Sequence, residues 1–131
     1  MIGLDTNVLA RYVMQDDSEQ SQKASRLIES LTSEAPGFVP LVALIELVWV
    51  LISCYDLTRE QVAQALDALL RAKEIVLERA EQVAQALRTF GAGSADFTDC
   101  LIERTAAAAG CGKTMTFDTG AAKFAGMTLI S

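Results

Sequence analysis

The sequence predicts an α/β fold in which helices cover both faces of a parallel sheet. Two observations carry this. Short apolar runs of strand length alternate with amphipathic segments of helix length along the whole chain, which is the order a parallel sheet requires. The 131 residues also suit one compact domain with one core, and no repeat, linker or low-complexity segment divides them.

The elements follow in order. Met1–Leu4 reads as a short buried strand ending at Asp5, and Thr6–Val13 as a short helix. Asp16, Asp17 and Ser18 make a polar turn that caps a helix from Glu19 to about Leu31, with Ala24, Leu27, Ile28 and Leu31 as its apolar stripe. Glu34–Gly37 is a loop, Phe38–Val39 a very short strand and Leu41–Cys54 a strongly apolar helix. Thr58–Gln61 fits a capping box that opens a helix through about Ala72. Glu74–Leu77 suits a strand, Ala80–Phe90 a helix and Gly91–Ser94 a flexible turn. Asp96–Ala109 is a helix, ended by Gly110 in the left-handed region. Thr114–Phe117 is a strand ending at Asp118, Ala121–Phe124 a helical turn and Met127–Ile130 a last strand.

Composition excludes several chemistries. The chain has no histidine, so Ser-His-Asp hydrolysis and histidine-based ribonuclease chemistry are ruled out. Cys54, Cys100 and Cys111 form no CxxC pair and read as small buried hydrophobes rather than zinc ligands. Acid–base or metal chemistry must run on carboxylates, lysine, tyrosine or water. Met1–Leu4 meets Asp5 with no basic segment before it, so no secretory signal is expected. Phe38–Cys54 is the one stretch of membrane length, but it carries Pro40 and a central Glu46, which costs about 2.5–3.5 kcal/mol on insertion scales. A cytoplasmic protein is expected. The 51% hydrophobic content and mean hydropathy of +0.28 exceed what a small core hides, so part of the apolar surface is expected against a partner chain.

Two short motifs are decoys. Gly112-Lys113-Thr114 resembles the end of a phosphate-binding loop, but Ala107 stands where the motif needs glycine and a strand follows instead of a helix. Asp118-Thr119-Gly120 resembles an aspartyl-phosphate nucleophile, but it lies too near the C-terminus for the domain such enzymes build after it.

The carboxylates are the candidate chemistry. Asp5 and Asp118 each end a strand, where ligands bind in parallel sheets. Glu46 lies in Val42–Ile52, a helix otherwise apolar on nearly every side, where a carboxylate must face something polar or bind a cation. Asp96 and Asp99 stand three apart at a helix start and share a face; Glu103, beside Arg104, belongs to a solvated edge. Asp5 could equally cap its helix, Asp96 could complement a helix dipole, and Glu46 could lie on the single exposed face of a peripheral helix with Trp49, Val50 and Ser53. Acids gathered on one edge repel unless cations sit between them, and an all-oxygen donor set selects Mg²⁺ or Mn²⁺. The net charge of −6 argues against nucleic acid when taken alone. Setting aside Asp5, Glu46, Asp96, Asp99 and Asp118 leaves 12 acids against 11 bases, a balance of −1. Arg11, Lys23, Arg26, Lys113 and Lys123 are then available for phosphate contacts.

Four segments in order resemble the PIN-domain family, and within it the VapC-type toxins of bacterial toxin–antitoxin pairs. They are Leu4-Asp5-Thr6-Asn7-Val8-Leu9, Ile45-Glu46-Leu47-Val48, Asp99-Cys100-Leu101-Ile102 and Thr116-Phe117-Asp118. The resemblance spans essentially the whole chain. It implies a three-layer α/β/α domain with a central, mainly parallel sheet, and Mg²⁺- or Mn²⁺-dependent cleavage of single-stranded RNA. It makes Asp5, Glu46 and Asp99 the core metal ligands, with Asp118 completing the site directly or through water. Thr6 and Asn7 support it by hydrogen bonds, with Thr116 beside Asp118 in the fourth motif; Asp96 lies outside the minimal pattern and could be an auxiliary ligand. It further implies a homodimer that binds a small antitoxin across an apolar groove. The segment Gly120-Ala121-Ala122-Lys123 departs from the bulkier, more charged ending of many relatives. A housekeeping PIN nuclease of RNA maturation or DNA processing, and a PIN-like binding module without turnover, are the alternatives.

Overall fold

A computed structural model describes residues 1–131. The chain divides into two compact units, Met1–Glu78 and Arg79–Ser131. The α/β class read from the sequence is the class observed: seven helices, with every strand pairing parallel.

The first unit runs β1 (Ile2–Gly3), α1 (Thr6–Met14), α2 (Ser18–Glu29), β2 (Gly37–Val39), α3 (Leu41–Ser53), α4 (Arg59–Arg71) and β3 (Ile75–Leu77). Its sheet has the order β1-β2-β3, with Ile2 opposite Gly37 and Gly37 opposite Ile75. Parallel neighbours cannot be joined by tight turns, so helices fill both crossovers. Leu4, Leu9, Val39, Leu44, Leu47, Leu51, Val62 and Leu66 are fully buried and form its core. Asp17 caps α2 by accepting from Gln20 N–H at 2.8 Å, and the Thr58–Gln61 capping box is complete in both directions.

The apolar helix is shorter and less enclosed than its composition suggests. α3 buries Ala43, Leu44, Leu47, Val48 and Leu51, whereas Val42, Glu46, Trp49 and Ile52 are exposed. Spacings of three and four residues put those four along one side. No helix is long and apolar enough to cross a membrane.

The second unit runs α5 (Ala80–Ala92), α6 (Phe97–Ala108), β4 (Met115–Thr116), α7 (Thr119–Phe124) and β5 (Thr128–Leu129). α5 continues through Gly91, so the turn expected from there begins two residues later, at Gly93. α5 packs on α6 through Val83, Ala86, Phe90, Phe97 and Leu101, and the Phe90 and Phe97 rings meet edge to face at 5.8 Å. Gly110 follows the cap of α6 at φ +98°, a conformation side chains resist. The residues after it lead into a strand, not a helix, which removes the phosphate-loop reading of Gly112–Thr114. β4 and β5 pair in parallel, Met115 opposite Thr128.

The strands are shorter than read from sequence at β1, β4 and β5. Single backbone bonds take over at their ends, from Leu4 N–H to Phe38 O, Thr128 N–H to Thr114 O and Ile130 N–H to Thr116 O.

Candidate metal centre

In the first unit, the chain leaves β1 and turns into α1 at Asp5. Asp5 is exposed, occupies the N-cap position with extended backbone, and its Oδ1 accepts from Thr6 N–H at 2.7 Å. Thr6 is buried, and its hydroxyl donates to the Ala43 carbonyl at 3.5 Å. This contact ties the start of α1 to α3 at a point three residues before Glu46. Glu46 lies on the exposed side of α3. Of the two alternatives for Glu46, the exposed face is the one observed: the carboxylate meets solvent, because the helix is apolar even where it is uncovered. Asn7 is exposed and lines a cavity of about 310 Å³ between α1 and α2, with Val8, Ala24 and Leu27.

In the second unit, Asp96 caps α6 by accepting from Asp99 N–H at 3.0 Å. Asp118 caps α7 by accepting from Gly120 N–H at 2.8 Å, while its own N–H donates to Thr116 Oγ1 at 3.0 Å. A Cβ on Gly120 would lie 3.3 Å from Asp118 Oδ1, so a residue without a side chain suits this tight turn. The ending that departs from the family pattern thus shapes the Asp118 turn. Asp99 is half-buried in the first turn of α6. Burial raises its carboxyl above the usual aspartate value, and the charges of Asp96 and Asp118 add to the rise. Asp99 therefore feels two of the other expected ligands.

No three carboxylate or thiol side chains converge closely enough to cage a metal ion. The donor chemistry nevertheless fits a hard divalent cation: every candidate is a carboxylate, and a cation would relieve the repulsion at Asp99. Asp5, Asp96 and Asp118 each spend only Oδ1 on a helix cap, which leaves Oδ2 for a cation. Cap and ligand are compatible roles: Asp5 caps α1 as its sequence position allows, Asp96 caps α6 where a dipole partner was expected, and neither cap excludes a cation.

The basic residues divide. Arg11 is committed: its guanidinium reaches Gln20 Oε1 at 2.7 Å, Tyr55 Oη at 3.0 Å and Asp16 Oδ1 at 3.3 Å. Tyr55 in turn donates to Asp16 Oδ2 at 2.9 Å, which holds the Asp16 carboxyl below the usual range and the Tyr55 phenol above its own. Lys23 pairs with Glu19 one turn away. Arg11 is thus a structural tie rather than a free phosphate contact. Tyr55 stands 39 residues from Asp16, so no local spacing announces this triad. Glu103 is not on a solvated edge: its side chain is only 15% exposed and it pairs with Arg104. Cys54 and Cys111 are exposed and only Cys100 is buried, which corrects the expectation of three buried thiols.

Comparison with curated proteins finds no match. The family model described as the PIN domain matches residues 2–127, across both units and all four motifs, and the chain belongs to the PIN-domain family, whose members are generally nucleases.

Proposed function

We propose that the chain is the ribonuclease toxin of a toxin–antitoxin pair, a Mg²⁺- or Mn²⁺-dependent endonuclease of the VapC type that hydrolyses RNA phosphodiesters in the cytoplasm. The reading takes both units as one nuclease domain, since the family match runs through both. The observation that carries it is the half-buried Asp99, whose carboxyl is raised by burial first and then by the charges of Asp96 and Asp118, in a nuclease family member that has no histidine. Asp5, Glu46 and Asp99 are the residues that would hold the cation, with Asp118 completing the set and Asp96 as an auxiliary. The bound ion supplies a water of lowered pKa and charge neutralisation at the scissile phosphate.

The protein's own work is placement. The Thr6 backbone N–H fixes one oxygen of Asp5, and its hydroxyl anchors that turn to α3. Thr116 and Gly120 hold the Asp118 turn from either side. The exposed Val42, Trp49 and Ile52 offer an apolar face for a second copy or an antitoxin.

The test is cleavage of defined single-stranded RNA by purified protein with Mg²⁺, with Mn²⁺ and with excess chelator, beside the Asp99→Asn variant. Cleavage that needs the metal and Asp99 supports the reading. Undiminished cleavage in chelator would falsify the mechanism. The toxin role is checked by expression alone and together with any short gene that adjoins its own: growth arrest that the neighbour relieves supports it, and growth unaffected by the active nuclease sinks it.

A further inference from the structure

We propose that Glu78 is a positioning residue for the metal site: its carboxylate holds the start of α3, and through α3 it keeps Glu46 in place for the cation shared with Asp5. The inference rests on the metal-dependent reading above and assigns a role to an acid that none of the four motifs contains.

The need for such a residue comes from the local sequence. α3 opens at Leu41 after Pro40, which occupies the N-cap position but caps nothing with its side chain, and no acid stands in the first turn. The free N–H groups of a helix so started want a partner from elsewhere. Glu78 supplies one: its Oε1 accepts from Leu41 N–H at 2.7 Å, across 37 residues of chain. The sheet makes this contact possible. β2 and β3 pair in parallel, so both deliver the residues that follow them to the same edge, and Glu78 N–H extends the ladder by donating to Val39 O at 3.0 Å. Glu78 therefore leaves β3 beside the point where the chain leaves β2 for α3. A carboxylate at that point also complements the positive end of the helix dipole.

Its place gives this cap a consequence beyond stability. Ala43, whose carbonyl accepts from the buried Thr6 hydroxyl at 3.5 Å, lies in the same first turn, and Glu46 stands in the next. The start of α3 is thus tied from two sides, to the Asp5–Thr6 turn after β1 and to Glu78 after β3. The Thr6 tie is long and neutral. The Glu78 tie is short and charge-assisted, and bonds of that kind are roughly twice as strong. Glu46 is exposed and makes no ion pair, so the helix that carries it sets its place. Carboxylates that share one cation must keep their spacing to within about 0.5 Å, and groups behind the ligands maintain it. Glu78 is such a group for Glu46.

The experiment titrates the full chain with Mn²⁺, reading free ion by paramagnetic resonance, and records melting curves without metal, so that binding and stability are separate readouts. Glu78→Ala should weaken Mn²⁺ affinity on the order of 10-fold, the loss typical when a group behind a metal ligand is removed. Glu78→Gln keeps an oxygen that accepts from Leu41 N–H and should retain most of the affinity. Thr58→Ala removes the cap of α4 and should lower the melting temperature comparably, with Mn²⁺ affinity unchanged. In a Glu46→Gln background, Glu78→Ala should weaken Mn²⁺ no further, because one residue acts through the other. Glu78→Ala that binds Mn²⁺ like wild type overturns the proposal. So does Glu78→Gln that loses as much affinity as Glu78→Ala, since Glu78 is then a ligand by its charge. An equal loss in Thr58→Ala, or a full further loss in the Glu46→Gln background, overturns it as well. Wild type that binds no Mn²⁺ retracts the metal reading and the proposal together. Mn²⁺ binding that depends on Glu78, with no cleavage of RNA, supports the proposal and retracts the nuclease reading alone.

Discussion

Asp99 combines two costs that the rest of the fold must carry: partial burial and two acidic neighbours. Its raised pKa has a definite sign in the stability balance. Its contribution is fully present below the unfolded aspartate value near 3.8 and is lost as pH rises through the higher folded value. Metal-free Asp99→Asn should therefore melt at or above the wild-type temperature at neutral pH, and the gap should close in acid. Mg²⁺ should raise the wild-type melting temperature and leave the variant's unmoved. Paired melting curves with and without metal check this, and a variant that is less stable throughout and still cuts RNA would overturn the assignment of Asp99. Asp96 allows its two roles to be separated. Asp96→Ala loses the cap on Asp99 N–H and should cost about 1 kcal/mol, whereas Asp96→Asn keeps an accepting oxygen and should cost little. Both should weaken metal affinity equally if the carboxylate is an auxiliary ligand. Affinity unchanged in Asp96→Asn would leave Asp96 a cap and nothing more.

Among the elements, those with chemical punctuation were legible in the sequence. Asp17, the Thr58–Gln61 box and Gly110 sit where the structure starts or ends helices, because a cap answers to a residue type at one position. Strand lengths were less legible at β1, β4 and β5, where one backbone bond more or less decides the boundary. For Glu46 the sequence left an enclosed and an exposed placement open, and the exposed one holds. Hydropathy reports the composition of α3 and not its covering, so a half-exposed and an enclosed apolar helix read alike. Asp5, Asp96 and Asp118 were legible as helix or strand ends, but their shared habit of spending one oxygen on a cap is a matter of geometry. The Arg11–Asp16–Tyr55 triad could not be read at all, since it joins the α1–α2 turn to the segment after α3. Its Asp16 carboxyl is held down, so its contribution is present above the unfolded value and is lost as pH falls through the lower folded one. Tyr55→Phe should lower the melting temperature at neutral pH and converge on wild type in acid. An unchanged neutral melting temperature would show that this exposed triad adds nothing, as many surface pairs do.

For the molecule as a whole, the excess of apolar residues has a location. Val42 and Trp49 are 79% and 62% exposed on α3, with Ile52 beside them. Covering this face in a dimer or antitoxin complex removes it from water, whereas Trp49→Glu places a charge there. If the proposed assembly forms there, the variant should shift sedimentation toward the monomer or lose a partner that co-purifies with wild type, with its fold intact by circular dichroism. Assembly unaffected by the charge would move the interface elsewhere.

Trp49 is the only tryptophan in the chain, and it shares the exposed side of α3 with Glu46 one turn away. The protein thus contains its own optical probe. Indole emission shifts to shorter wavelength when water leaves the ring, so assembly on α3 can be followed by colour without a label. Paramagnetic Mn²⁺ held at Glu46 should quench the same emission where diamagnetic Mg²⁺ leaves its intensity nearly unchanged. One spectrum therefore distinguishes a covered face from a bound cation, two events that a melting temperature would record alike.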